Sequence, residues 1–180
     1  MKAAFVLLCL CFAVSAVAQE KAQPGQPERA RVEPACGPVG ESYKVSLDRT
    51  HRGLLPLVAG TAQVYFIHDS GIPFENLTLG YPVTKYAVDG SWVGAGHGDS
   101  WFEIQVAPGE HHVCATLQSS FVNQRVELGH FTAEAGKAYF LRTRLVMSQS
   151  VELLELEQMD SDQGKYLVAR YPMSVSHLKK

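Results

Sequence analysis

Short runs of β-branched and aromatic residues with a period of two recur from Ser42 onward, and they constrain the fold more than any other feature. A period of two places alternate side chains on opposite faces of a strand. Turn residues separate the runs at close intervals, which is typical of an antiparallel all-β domain. The runs span residues 43–47, 62–68, 83–88, 91–95, 101–106, 111–117, 125–132, 137–146 and 151–157. We therefore predict an antiparallel two-layer β-sandwich, rich in meanders and of the immunoglobulin or prealbumin kind.

Three turn signals indicate how these strands connect. Asp89-Gly90 suits a two-residue type I′ hairpin, because both central residues of that turn need positive φ. Pro108-Gly109 suits a type II turn, and Ala135-Gly136 places a glycine at a third reversal. Each turn is expected to join neighbouring strands into a meander.

One short helix is expected near the C-terminus. Asp160 can cap it, with Gln163 three residues further on, although Gly164 lowers the helical propensity. Pro172 then opens a short tail that ends at Lys180.

The register also predicts which large side chains face outwards. Phe102, Ile104 and Val106 form the apolar face of one strand, so Trp101 is expected on the opposite face. The same alternation places Trp92 on the outer face of the preceding hairpin. Two exposed tryptophans on adjacent strands would form an aromatic platform, a surface on which proteins or sugar rings dock. The alternative is that the N-terminal leader, a long loop or the terminal helix covers them.

Residues 1–18 have the composition of a secretory signal peptide. Lys2 precedes an apolar run, and the small-residue pattern Ala16-Val17-Ala18 comes before the polar Gln19. The run is too short to span a bilayer, and its cysteines lack the preceding small residue that lipid attachment requires. We expect cleavage after Ala18 and a periplasmic or secreted protein with no membrane span and no lipid anchor.

The exported part divides into a leader and one domain. Residues 19–40 are rich in proline and glycine and carry almost no large apolar side chain, which predicts a flexible leader. Residues 41–180 are enough chain for a single β-sandwich domain with its own core.

Charge and cysteine content narrow the environment further. The chain has 16 basic and 18 acidic residues, a formal net charge of −2, so no overall basic field exists to attract nucleic acid or anionic lipid. Cys36 and Cys114 remain after the signal is removed, and paired cysteines in an oxidising compartment predict a disulfide. Two buried free thiols are the alternative.

His97, Asp99 and Ser100 lie within one five-residue stretch that superficially resembles the serine block of certain esterases. A working triad needs the base within hydrogen-bond reach of the nucleophile and a third group that orients the base, which adjacent residues on a turn cannot readily arrange. The chain also lacks a Gly-x-Ser-x-Gly elbow. We interpret residues 96–100 as a turn.

Residues 110–114 come nearest to a metal-binding pattern. His111 and His112 point to opposite faces of a strand, and His112 and Cys114 supply only two ligands on one face. We therefore predict no metal and no cofactor, and we expect His111 to be a hydrogen-bonded histidine in the core or at its rim.

Four stretches together resemble a bacterial exported family, the domain-of-unknown-function family 2846, and are similar to PEGA-type surface domains. They are an opening strand, a V-D-G-x-x-V-G hairpin, a P-G-E-H turn and an A-G-K-x-Y strand, at residues 62–67, 88–94, 106–112 and 135–140. The resemblance implies an envelope-associated β-sandwich without an established activity. This chain departs from the lipoprotein members because it lacks their lipid-attachment cysteine.

These observations predict a non-catalytic binding or structural module of the cell envelope, with an envelope protein or a glycan as its partner. A carbohydrate-binding module would instead use Trp92 and Trp101 as stacking residues. A hydrolase or metal-dependent enzyme is the third hypothesis, and it would need His97, Asp99, His112 or Cys114 to lie in a cleft.

Overall fold

The structure is a computed structural model that describes residues 36–38, 40–70, 82–118, 126–148 and 151–180. The predicted signal peptide and most of the predicted leader lie outside the described residues. The described strands and the helix α1 are β1 (Tyr43–Asp48), β2 (Ala62–Asp69), β3 (Val83–Val88), β4 (Ser91–His97), β5 (Ser100–Val106), β6 (Gly109–Leu117), β7 (Val126–Ala133), β8 (Ala138–Ser148), β9 (Val151–Met159), α1 (Ser161–Arg170) and β10 (Met173–Leu178).

Two sheets pack face to face, as the sequence pattern predicts. The large sheet has six strands in the order β1-β10-β5-β2-β8-β9, and the small sheet has four in the order β4-β3-β6-β7. The all-β sandwich is confirmed, but the large sheet is mixed rather than purely antiparallel. β2 and β8 run parallel, with Val64 opposite Tyr139, and β10 runs parallel to β5.

The chain bends at all three predicted places, but Gly109 has a φ of 141° and begins β6 instead of completing a type II turn, and only one of the three closes a hairpin. Asp89 and Gly90 have φ values of 51° and 76° and join β3 to β4, as expected for a tight hairpin turn. The turns at Pro108-Gly109 and Ala135-Gly136 instead carry the chain from one sheet to the other, so the predicted meander there was wrong. A turn residue fixes a reversal of direction, but it does not decide whether the next strand pairs beside the last or crosses the core.

The predicted C-terminal tail was also wrong, because it forms β10. This strand pairs along its whole length with β1, from Tyr43 opposite Leu178 to Asp48 opposite Met173. Serine occupies alternate positions of β10, and Ser174 is buried there with its hydroxyl bonded to that of Ser100. The absence of large β-branched side chains at those positions weakened the strand signal.

The centre of the large sheet is buried on both faces. One face packs on the small sheet, and the other packs beneath α1 through a second cluster built on Tyr65, Trp101 and Phe140. Every residue of β2 from Ala62 to His68 is therefore buried. The main core between the sheets includes Val64, Phe66, Tyr86, Val88, Phe102, Val106, Val113, Phe131, Leu141 and Leu154.

The predicted aromatic platform was wrong. Trp101 is fully buried under α1, and its indole Nε1 donates to the carbonyl of Tyr171 at 3.0 Å. Trp92 lies in the other sheet and is half-buried, with its Nε1 donating to the carbonyl of Pro38 at 2.8 Å. The strand faces were predicted correctly, but the helix covers one tryptophan and the leader covers part of the other.

Helix α1 begins as its sequence predicts and lies unusually close to the sheet. The carboxylate of Asp160 caps the helix by accepting from the backbone N–H groups of Asp162 and Gln163, each at 3.0 Å. Gly164 faces the sheet, and a Cβ atom there would lie 2.2 Å from Cγ of Phe140. The glycine that weakens the helix in isolation is therefore what allows it to pack on the sheet.

We expect Gly164→Ala to destabilise the domain, because the added methyl group must displace either Phe140 or the helix. The steric cost of about 1–3 kcal/mol exceeds the helical preference for alanine of about 1 kcal/mol. Urea unfolding of the variant measures the difference. Lys165→Ala, at an exposed position of the same helix, is the matched control and should change stability by less than about 0.5 kcal/mol. A stabilised Gly164→Ala protein would contradict the close packing.

A hydrogen-bonded pair formed by His111 and Asp89 fixes the β3–β4 turn against β6. His111 bonds through Nδ1 to the carboxylate of Asp89 at 2.7 Å and through Nε2 to the carbonyl of Ala107 at 2.8 Å. Both partners are acceptors, so both ring nitrogens must carry a proton. Burial lowers the pKa of His111, but the bonds to Ala107 and Asp89 outweigh it and raise the pKa above its usual value. The expectation of a hydrogen-bonded rim histidine is confirmed.

The raised pKa of His111 predicts that stability depends on pH. The contribution is complete below the unfolded-state value of about 6.5 and is lost as pH rises through the folded-state value. We expect the unfolding free energy to fall between pH 6 and pH 9 by about 1 kcal/mol or less, since the pair lies near the surface. His111→Gln should remove most of this slope in urea titrations at several pH values. An identical slope in both proteins would show that other groups set the pH dependence.

Candidate functional site

A cleft of about 530 Å³ lies at the end of the sandwich where β4 turns into β5. Three segments that are distant in sequence line it: the end of β1, the β4–β5 turn and the junction between α1 and β10. Its polar groups come mainly from the side chains of Arg49, His97, Asp99, Arg170 and Tyr171. The cleft therefore brings cations together with one carboxylate and a phenol.

The β4–β5 turn is fixed from beneath by a buried histidine. Gly98 has a φ of 60°, and its carbonyl accepts from Nδ1 of His68 at 2.6 Å. Burial lowers the pKa of His68 to about 4, so its ring is neutral at neutral pH with the proton on Nδ1. The ring supports the turn as a donor and does not reach the cleft as a charge.

Asp99 and Ser100, two residues of the esterase-like stretch, serve the scaffold. One carboxylate oxygen of Asp99 accepts from both the backbone N–H and the hydroxyl of Ser70, at 2.9 and 2.6 Å. The Ser100 hydroxyl is buried and bonds to the backbone N–H of His97, the carbonyl of Gly98 and the hydroxyl of Ser174. The stretch forms the predicted turn, and its serine is positioned to hold strands rather than to attack a substrate.

The junction between α1 and β10 supplies the positive charge. Nη1 of Arg52 donates to the carbonyl of Arg170 at 2.8 Å, at the helix C-terminus where cations are favoured. Nη1 of Arg170 donates in turn to the hydroxyl of Tyr166 at 3.1 Å. Among the described side chains, no carboxylate forms an ion pair with Arg49, Arg52 or Arg170.

Tyr171 connects the cleft to a polar network on the large sheet. Its hydroxyl donates to Asp69 at 3.3 Å, and Asp69 pairs with Arg142 at 3.4 Å. Arg142 also pairs with Glu157 on the neighbouring strand. Burial, with the charges of Asp69 and Asp99, raises the pKa of Tyr171, so the phenol stays a neutral donor. Two carboxylates, of Asp69 and Glu157, share the one guanidinium of Arg142, so this network carries one net negative charge beside the cleft.

The residues of the metal-like pattern are dispersed. Cys114 is joined to Cys36 in a disulfide, as the sequence predicts, and both are buried. His112 lies on the outer face of the small sheet, directly opposite His130 of β7. Sequence reasoning missed this cross-strand pair, because it arises only from the β6–β7 register. Within the described ranges, no group of three or more histidine, cysteine, aspartate or glutamate residues could hold a metal ion.

A second feature that the sequence did not reveal is the leader strap, residues 36–38 and 40–41. It crosses the outer face of the small sheet. Three interactions hold it there: the disulfide of Cys36, the hydrogen bond from Trp92 to the Pro38 carbonyl, and the hydrogen bond that the Glu41 carbonyl accepts. That carbonyl accepts from Nζ of the buried Lys85 at 2.8 Å, and this Nζ lies 4.2 Å from the Trp92 ring centroid. Burial lowers the pKa of Lys85.

Comparisons with known proteins give one distant relative. A Haemophilus influenzae protein described as uncharacterized is 29% identical to this chain over 90 residues. The match covers 50% of this chain and 51% of that protein, so the chain spans about half the length of its relative. No family model matches the chain, and no solved structure matches it. The resemblance to the exported family 2846 remains a prediction.

Proposed function

We propose that this protein is an exported, non-catalytic binding module of the bacterial cell envelope, and that its cleft binds an anionic ligand. The observation that carries the proposal is the state of the groups around the cleft. The Ser100 hydroxyl and the Asp99 carboxylate are hydrogen-bonded to the scaffold, whereas Arg49 and Arg170 line the cleft and form no ion pair with a carboxylate of the described residues. Such a cleft is suited to binding a charged ligand, and its described residues do not pair a nucleophile with a base.

The chemistry of the cleft favours an anion of small size. Guanidinium groups present fixed, planar sets of donors that match carboxylate and phosphate oxygens. Tyr171 adds a neutral hydroxyl, and its raised pKa keeps that proton in place. Asp99 would repel an anion, but the lining sets two guanidinium groups, those of Arg49 and Arg170, against this one carboxylate.

The Cys36–Cys114 bridge supports the exported location. Disulfides persist in oxidising compartments such as the bacterial periplasm and are rare in the cytosol. Both sulfur atoms are buried beneath the leader strap, so the bridge has the setting of a structural disulfide. The bridge and the predicted signal peptide both support the proposed location outside the cytoplasm.

Two arginines test the ligand site. We expect inorganic phosphate to bind the wild-type protein in calorimetric titration at low ionic strength. The double variant Arg49→Gln/Arg170→Gln should weaken binding at least about tenfold, because charge-assisted hydrogen bonds contribute about 1.5–3 kcal/mol each. Lys44→Gln, at an exposed position of β1, is the matched control and should leave the affinity unchanged. Absence of wild-type binding, or equal binding by the double variant, would contradict an anion site in the cleft.

A second experiment tests export independently of the ligand. Fractionation of cells that express the full chain should place the protein in the periplasm or the medium, with Gln19 at its N-terminus. Cys36 and Cys114 should resist alkylation unless the protein is reduced and unfolded, because the bridge is buried. A full-length protein retained in the cytoplasm with free thiols would overturn the proposed location.

A further inference from the structure

Exposed apolar side chains concentrate on one side of the molecule. In the part of the chain that the structure describes, six large apolar side chains are exposed. Four of them lie on the layer outside the large sheet, formed by the 49–61 loop and α1. They are Leu54, Leu57, Val58 and Tyr166, which are 44%, 39%, 55% and 59% exposed. We call this surface the helix-and-loop face.

The loop holds its leucines outward by specific bonds. The backbone N–H of Leu55 donates to the hydroxyl of Tyr65 at 2.9 Å, and its carbonyl accepts from Nε2 of Gln63 at 2.9 Å. Leu55 also packs against the cluster under α1, which anchors the middle of the loop. The carbonyl of Val58 accepts from Thr61 and closes a turn. Leu54 and Leu57 therefore lie on either side of the anchored Leu55, and both are exposed in the folded conformation of the loop.

Positive charge borders these apolar side chains. Arg52 contacts the carbonyl of Arg170, and Arg170 contacts the hydroxyl of Tyr166, so the loop and the helix share one row of polar contacts. Neither guanidinium pairs with a carboxylate of the described residues. The nearby Asp48 carboxylate is engaged by Thr50 and His51, and this lowers its pKa to about 2. Asp48 therefore stays ionised, but it is bonded to Thr50 and His51 and pairs with neither guanidinium, so the border presents two arginines although the whole chain has a net charge of −2.

We propose that the helix-and-loop face docks on an anionic lipid surface. Leu54, Leu57 and Val58 enter the boundary between headgroups and acyl chains, while Arg52 and Arg170 bind lipid phosphates. Apolar side chains bordered by arginine are the composition of interfacial membrane-binding elements, and tyrosine is enriched at that depth. Each basic side chain near an anionic leaflet strengthens binding by about fivefold. The arginines favour a surface that is rich in phosphate. The exposed apolar side chains of the loop favour a lipid surface over an acidic protein.

The docking surface shares Arg170 with the cleft, but its apolar side chains and Arg52 lie outside the cleft. Leu54, Leu57, Val58 and Arg52 do not line the cleft, so their substitution leaves the phosphate titration as an independent readout. The protein would then be held at a membrane surface by a folded face. In the described residues, no helix is long and apolar enough to cross a membrane.

Vesicle cosedimentation tests the proposal on the exported protein. The probes are vesicles of phosphatidylglycerol and phosphatidylethanolamine in equal parts, and vesicles of phosphatidylcholine alone. We expect binding to the first kind only, weakening as salt rises because screening reduces the phosphate contacts. Leu54→Ser/Leu57→Ser/Val58→Ser should reduce binding at least about tenfold, and Arg52→Gln should reduce it about fivefold.

Two controls match these changes. Leu128→Ser removes an exposed leucine, 65% exposed, from the small sheet, and Lys44→Gln removes an exposed cation from β1. Both should bind vesicles like the wild type, and the emission of the buried Trp101 verifies the fold of every variant. The proposal is overturned if the wild type does not sediment with anionic vesicles at low salt, or if the triple variant binds equally well. It is also overturned if the wild type forms a dimer that the triple variant abolishes, since the face is then a contact between copies.

Discussion

Burial of the centre of the large sheet on both faces is the constraint on which the rest of the structure depends. β2 lies inside this sheet, and its side chains fill the main core on one side and the space beneath α1 on the other. A strand buried on both faces needs a cover for each, so the chain must supply a second sheet and a helical layer. That helical layer also positions one wall of the cleft, because α1 ends at Arg170, where the chain turns into β10. The cleft therefore forms as a consequence of covering the second face of the large sheet.

Much of the fold follows from local sequence pattern. Alternation placed Phe102 toward the small sheet and Trp101 on the other side, and the structure agrees with both. What alternation cannot tell is whether the opposite face meets water or another layer, so the prediction that Trp101 is exposed failed. Strand β10 was missed for a related reason. Its serines carry no apolar signal, and Ser174 becomes buried only because a partner hydroxyl is provided by Ser100 on β5.

The candidate site was less accessible to sequence reasoning. The β4–β5 turn was identified, and its role as a turn was predicted from the adjacency of His97, Asp99 and Ser100. Its cationic walls were not predicted, because Arg49 and Arg170 come from opposite ends of the domain and only the pairing of β1 with β10 brings those segments to the same end. The net charge of the chain also gave no indication of these two arginines. A chain with a slight acidic excess still concentrates guanidinium groups in one place once the fold has separated its charges.

The position of β10 between β1 and β5 has a consequence for how the large sheet is completed. β10 joins β1 to the rest of this sheet, although more than a hundred residues separate the two strands in sequence. Among the described strands, β1 pairs within the large sheet only with β10, and the parallel pairing of β2 with β8 also joins residues that are far apart in sequence. Contacts between such distant segments make folding slow and late. The large sheet is therefore complete only when residues 173–178 have paired with both β1 and β5.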